Sequence, residues 1–244
     1  MILEVCVDSI DGLRAAIDGG ADRIELCSAL ELGGLTPSSG LISAASREKI
    51  VCYAMIRPRS GNFVYNEVEL LGMAHEIAAV KNAGLAGVVL GASLPDGRLD
   101  LAALGFLCSR SVGLGKTLHR AFDLVPDLSE AVELAIDLGF ERILTSGRAE
   151  IVSEGLGDLR KTRELAGNRI SIMPGSGVNA QTIEAILKSF QAHEFHASCS
   201  SPKKQDDEKL IRFGFSTRNS NYTDIDKVRR LKAALQAYSD RNKV

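Results

Sequence analysis

Short apolar runs alternate with longer amphipathic stretches along nearly the whole chain, and this alternation limits the fold more than any other feature. Segments 3–7, 23–27, 51–56, 87–90, 117–119, 142–145, 169–173 and 194–197 read as strands. Between them lie helical patterns with start and stop chemistry. Ser9 precedes one and Gly19-Gly20 ends it; Gly84 closes a helix over 68–83; Asp100 opens the next; Asp127 and Gly139 bracket another. Shorter helical patterns cover 38–45, 157–166 and 179–187, and 224–239 closes the chain. A helix between successive strands makes them parallel, because a parallel connection needs a crossover. About eight units favour closure into a (β/α)8 barrel of the TIM type, a size that barrels of about 250 residues reach as one domain. The alternative is an open doubly wound sheet. That fold would normally carry a Gly-rich phosphate turn after the first strand, and here the turn is Val-Asp-Ser.

The 244 residues therefore read as a single domain, 1–244, interrupted by one polar stretch at 199–222. That stretch carries Lys203, Lys204, Asp206, Asp207 and Glu208, and follows the eighth strand. It reads as a long loop over the barrel mouth, either a partly mobile cover or a disordered insert. The formal net charge of -2 and the absence of Trp give no basic face and few stacking platforms, so nucleic acid is not an expected partner. No apolar run approaches the roughly 20 residues a membrane helix needs. The amino terminus lacks the pattern of a signal peptide. Cys6, Cys27, Cys52, Cys108 and Cys199 are odd in number and far apart, which fits a reducing cytoplasm better than a disulfide framework.

Side chains of a strand alternate between two faces. Leu3, Val5 and Val7 share one face of the first strand; Glu4, Cys6 and Asp8 share the other. In the second strand Ile24 and Leu26 oppose Arg23, Glu25 and Cys27. The apolar sets should meet the outer helices, leaving Glu4, Cys6, Glu25 and Cys27 inside the barrel. Buried acids need partners, and Arg57, Arg59, His119 and Arg120, all at strand ends, are the expected ones. Because these groups converge on the carboxyl-terminal mouth, a site is expected there, with His119, Arg120, Glu25 and Arg57 as candidate catalytic groups. His196, at the end of the eighth strand, is a further candidate. The run Met173–Asn179 follows the seventh strand and opens a helix. Its Gly175, Ser176 and Gly177 amides, together with Arg57, Arg59 and Ser198, could bind an anion, although a tight turn without a ligand uses the same residues. Cys6 and Cys27 lie on neighbouring strands, so two thiolates could clasp Cu(I), or both could be packing residues.

Several motifs carry a family resemblance over nearly the whole chain. Leu-Glu-Val-Cys-Val-Asp-Ser (3–9), Gly-Gly-Ala-Asp-Arg-Ile-Glu-Leu-Cys (19–27), Gly-Gly-Leu-Thr-Pro-Ser (33–38) and Met-Ile-Arg-Pro-Arg (55–59) resemble the CutC family. So do His-Arg-Ala-Phe-Asp (119–123), Leu-Thr-Ser-Gly (144–147), Met-Pro-Gly-Ser-Gly-Val (173–178) and Glu-Phe-His-Ala-Ser (194–198). The resemblance implies a (β/α) barrel in cytoplasmic copper homeostasis, a dimer or larger homo-oligomer, and Cu(I) held by Cys6 and Cys27. Two positions depart from the family pattern: Ser176 interrupts its Pro-Gly-Gly-Gly, and Asn62 replaces the acid of its Arg-Gly-Gly-Asp-Phe. The sequence thus leaves two functions open, a copper homeostasis protein and a barrel enzyme acting on a small anionic or phosphorylated molecule.

Overall fold

A computed structural model describes residues 1–241. Eight parallel strands form one sheet: β1 (Ile2–Val7), β2 (Arg23–Leu26), β3 (Val51–Met55), β4 (Gly87–Leu90), β5 (Gly115–Leu118), β6 (Arg142–Thr145), β7 (Ser171–Pro174) and β8 (Glu194–Ala197). Neighbours in sequence are neighbours in the sheet, and β8 pairs with β1. With β7 also beside β8, the sheet wraps into a nearly closed barrel. Helices α1 (Ile10–Asp18), α2 (Ser39–Ala45), α3 (Glu67–Asn82), α4 (Leu101–Arg110), α5 (Leu128–Asp137), α6 (Leu156–Ala166) and α7 (Ile183–Ser189) fill the crossovers.

The caps follow from the sequence. Ser9, Asp100 and Asp127 accept backbone N–H groups of the first turns of α1, α4 and α5. Asn66 and Glu69 form a reciprocal capping box on α3. Three element starts move by two residues or more: β5 begins at Gly115 rather than at 117, β7 begins at Ser171 rather than at 169, and the 179–187 pattern becomes a turn held by the Asn179 side chain before α7.

Side chains sort onto two faces as strand alternation requires. Leu3, Val5, Val7, Ile24 and Leu26 pack outward against the helices. A second, smaller apolar cluster of Cys27, Tyr53, Met55 and Val89 fills part of the barrel interior. Tyr53 is accommodated by two glycines level with it on the next two strands, β4 and β5. A Cβ at Gly87 would lie 2.3 Å from its ring, and one at Gly115 would lie 2.1 Å from its hydroxyl. The glycines are there for space, not for turning.

The polar stretch after β8 is not an irregular loop. It folds as an antiparallel hairpin of β9 (Ser200–Lys204) and β10 (Asn219–Thr223), with a short helix α8 (Glu208–Arg212) between them. Only its root reaches the mouth: Ser200 lines the cavity there, whereas β10 runs beside α1. The closing helix α9 (Ile225–Arg241) packs on α1 and α7. No helix among the described residues is long and apolar enough to cross a membrane, and all five cysteines are buried free thiols.

Candidate functional site at the barrel mouth

The lumen is organised by charge pairing. Near its base, Arg23 reaches both Glu4 and Glu194, and Arg142 bonds Glu194 at 2.9 Å. Both guanidinium groups lie over the Tyr53 ring, at 5.6 and 4.8 Å from its centre. Above them His196 stands between two acids, with Nδ1 2.8 Å from Glu4 Oε1 and Nε2 3.8 Å from Glu25 Oε2. Burial opposes a charge on this ring, but Glu25, Cys6 and Glu4 together hold its pKa well above 6.5. Burial likewise opposes ionisation of Glu4, yet His196 and Arg23 bring that carboxyl down to about 2. Burial pushes the Glu25 carboxyl above the usual range, with the His196 charge pulling against it. The interior acids are thus partnered by Arg23, His196 and Arg142 rather than by Arg57, Arg59, His119 and Arg120. The reason is depth: arginines at strand ends project beyond the layer where Glu4 and Glu25 sit.

Over this floor opens a cavity of about 650 Å³. Cys6 and His196 line its bottom, and Arg57, Phe63 and His119 line its wall. Arg57 spends both terminal nitrogens on backbone carbonyls of Leu32, Gly34 and Gly61. Its Nε is buried and has no partner among the described residues. The His119 ring lies 4.8 Å from that of Phe63, which also stacks under Arg57. The Ala121 amide donates to His119 Nδ1 at 3.1 Å, so the neutral ring carries its proton on Nε2. Nε2 is also buried and unpartnered. Burial, then the Arg57 charge, lowers the His119 pKa to about 3. His119 at neutral pH is therefore a fixed N–H donor and not a cation. Glu25 Oε1, beneath, is a third buried atom without a partner.

The remaining candidates divide. Arg120 lies on the cavity, held by Asp123 and Ser146. Arg59 does not: it ties its own loop to Glu69, Asn62 and Val64. There the Asn62 amide oxygen accepts from Arg59 at 3.2 Å and from the Val64 amide at 3.3 Å, doing the local work of an acid without its charge. Gly175 is spent on packing, because its N–H bonds Thr145 and a Cβ would lie 2.5 Å from Leu144. Ser176, Gly177 and Ser198 do line the cavity. Ser176 accepts a left-handed backbone (φ 69°) with its hydroxyl bonded to Glu150 O at 2.6 Å. Lys227 and Arg230 of α9 also reach the rim. Nothing in strand periodicity points to them, since they arrive from the closing helix.

Cys6 and Cys27 are not level. The register pairs Cys6 with Glu25, which sets Cys27 two residues farther along β2. Cys27 is fully buried beneath Gly34, and its thiol donates to Glu25 at 3.5 Å. Burial, then Glu25, raises its pKa well above 9.0, which opposes a Cys6–Cys27 dithiolate. The donor atoms that do gather are those of Cys6, Glu25 and His196, all within 4.8 Å of one another.

These residues sit on the motifs that carried the resemblance, and the CutC family model matches residues 1–201. The chain belongs to the CutC family. CutC family proteins of Rhizobium meliloti and Agrobacterium fabrum are 54% and 50% identical to it, over 96% and 98% of this chain and 96% and 95% of theirs. The CutC crystal structure from Streptococcus agalactiae, a protein named for copper homeostasis, covers 81% of this chain and 98% of its own at 33% identity and a TM-score of 0.78. Thiamine phosphate pyrophosphorylase of Pyrococcus furiosus shares the fold alone, at 14% identity and a TM-score of 0.59, over 97% of this chain and 96% of its own.

Proposed function

We propose that this CutC chain binds a small anionic molecule in the mouth cavity. The supporting observation is the pair of buried N–H donors, His119 Nε2 and Arg57 Nε, that have no protein partner on one cavity wall. Leaving such a group unpaired costs about 1–3 kcal/mol, so a wall with two of them is built for an incoming acceptor. The oxygens of a carboxylate, phosphate or carbonyl compound are the acceptors such donors call for, and Arg230 at the rim adds charge. A thermal-shift screen with phosphate, pyrophosphate and small carboxylates tests this. At least one anion should raise the melting temperature of the wild type, less in His119→Phe and in Arg230→Ala. A panel with no stabilising anion would remove the proposal.

Copper handling, the role implied by the family, is favoured by one observation, the convergence of Cys6, Glu25 and His196. The set suits Cu(I) poorly as it stands. It offers one sulfur, and His196 is held between two carboxylates as a proton carrier. Cu(I) cargo would have to displace that proton. Anaerobic Cu(I) titration, compared between wild type and Cys6→Ser, is the measurement. Equal affinities would exclude this floor as the copper site.

A further inference from the structure

The floor of the cavity has a feature that anion binding does not use. Cys6 faces the cavity, and its Sγ lies within 4.8 Å of a ring nitrogen of His196. Nδ1 of that ring is taken by Glu4 at 2.8 Å, and Nε2 is 3.8 Å from Glu25 Oε2, so Glu25 shares the ring with the thiol, which itself donates to the Ala197 carbonyl at 3.9 Å. Glu4 is itself immobilised by Arg23 and completely buried. Thiol, imidazole and carboxylate in this order are what nucleophilic catalysis needs: an attacking atom, a carrier for its proton, and a group that fixes the carrier's tautomer and direction. No other cysteine has this setting. Cys27 is bonded to Glu25 and sealed off, and Cys52 and Cys108 lie in the layer under the helices. Cys199 also lines the cavity and feels the His196 charge, but it is not part of the Cys6–Glu25–His196 cluster.

We propose that Cys6 is a catalytic nucleophile, with His196 as its proton carrier and Glu4 as the residue that positions His196. The substrate class is a small acyl compound whose carbonyl oxygen is received by the unpartnered donors His119 Nε2–H and Arg57 Nε–H. In this respect the assignment rests on the mouth cavity being a ligand site. The sulfur of Cys6 bonds to the carbonyl carbon as its proton passes to the His196–Glu25 pair, Glu25 accepting the proton that the already charged ring cannot hold in addition. The bond to the leaving group breaks, and that group departs with the proton. Water then attacks the thioester, releasing the acid and returning the proton to sulfur.

Exposure provides an internal control, because Cys6, Cys108 and Cys199 are 6, 7 and 8% exposed. The full chain is treated with limiting iodoacetamide at a single pH, and each cysteine is followed by peptide mapping. Cys6 should be modified about tenfold or more faster than Cys108 and Cys199, and p-nitrophenyl acetate should leave its acetyl group on Cys6. His196→Gln and Glu4→Gln should slow Cys6 to the rate of Cys199. The proposal fails if wild-type Cys6 reacts no faster than Cys108 and Cys199, a comparison that needs no variant to fold. It fails equally if Cys6 is fast and neither variant slows it. A fast Cys6 in a protein that no anion stabilises would leave this assignment standing and overturn only the anion-binding reading.

Discussion

Replacing Glu4 by Gln tests the charge arrangement on which the floor depends. The carboxylate is fully buried and serves Arg23 and His196 at once. Gln keeps the size and removes the charge. Two independent routes give its worth. Holding a carboxyl at about 2 instead of 4.5 corresponds to roughly 3 kcal/mol of stability at neutral pH. Removing one member of a buried ion pair costs about 3–5 kcal/mol in general. The expected loss in urea unfolding at pH 7 is therefore about 3–4 kcal/mol. That is a drop of roughly 6–16 °C in melting temperature for a domain of this size, small enough to leave the variant folded at 20 °C. The pH dependence has a definite sign. The folded pKa is depressed, so the contribution is complete above the ordinary carboxylate range and lost as pH falls through 4.5 toward 2. The wild type should lose stability over that window more steeply than Glu4→Gln, with Glu194 accounting for part of the slope that remains. A loss below about 1 kcal/mol at pH 7, with an unchanged acid slope, would show that Glu4 is not the ionised centre of the floor.

The other predictions concern the wall and the lumen. His119 should show no protonation between pH 5 and 8 by NMR, because its pKa lies at about 3. Its folded pKa is depressed below 6.5, so its neutral burial should cost stability as pH falls from 6.5 toward 3, and His119→Phe should remove that part of the acid sensitivity. Gly115→Ala should cost about 1–3 kcal/mol by overpacking against Tyr53. Tyr53→Phe, which deletes the hydroxyl lying 2.1 Å from the new Cβ, should recover part of it, and a strictly additive double mutant would contradict that contact. Arg59→Ala should leave any anion-induced shift in melting temperature unchanged, since Arg59 is bound to its own loop. A weakened shift would place Arg59 in the site.

The fold was legible because each strand and helix announces itself locally. Alternation of Leu3, Val5 and Val7 with Glu4 and Cys6 assigns both faces of β1 without knowledge of its neighbours. Caps such as Ser9 and Asp127 mark helix starts within a few residues. The hairpin at 200–223 was not legible for the same reason. Ser-Ser-Pro-Lys-Lys and Asn-Ser-Asn-Tyr-Thr have no buried face to impose a period of two, since β9 and β10 are largely exposed and pair only with each other.

The site was legible as a collection of residues but not as an arrangement, and register is the reason. Knowing that Cys6 and Cys27 both point inward leaves their heights along the barrel axis open. A parallel pairing of Cys6 with Glu25 puts an acid where the dithiol reading needs a second sulfur. On the other edge of β1, His196 pairs with Glu4, two residues before Cys6, and its ring still comes within 4.8 Å of the Cys6 and Glu25 donor atoms. Periodicity reports one strand at a time, so it predicts which side chains enter the lumen but not which meet there. Meeting decides the chemistry. Two thiols side by side would favour a soft cation, whereas one thiol beside a carboxylate-held imidazole favours proton transfer and nucleophilic attack. The β1–β2–β8 register therefore does more to separate the two readings than the identity of any one residue in them.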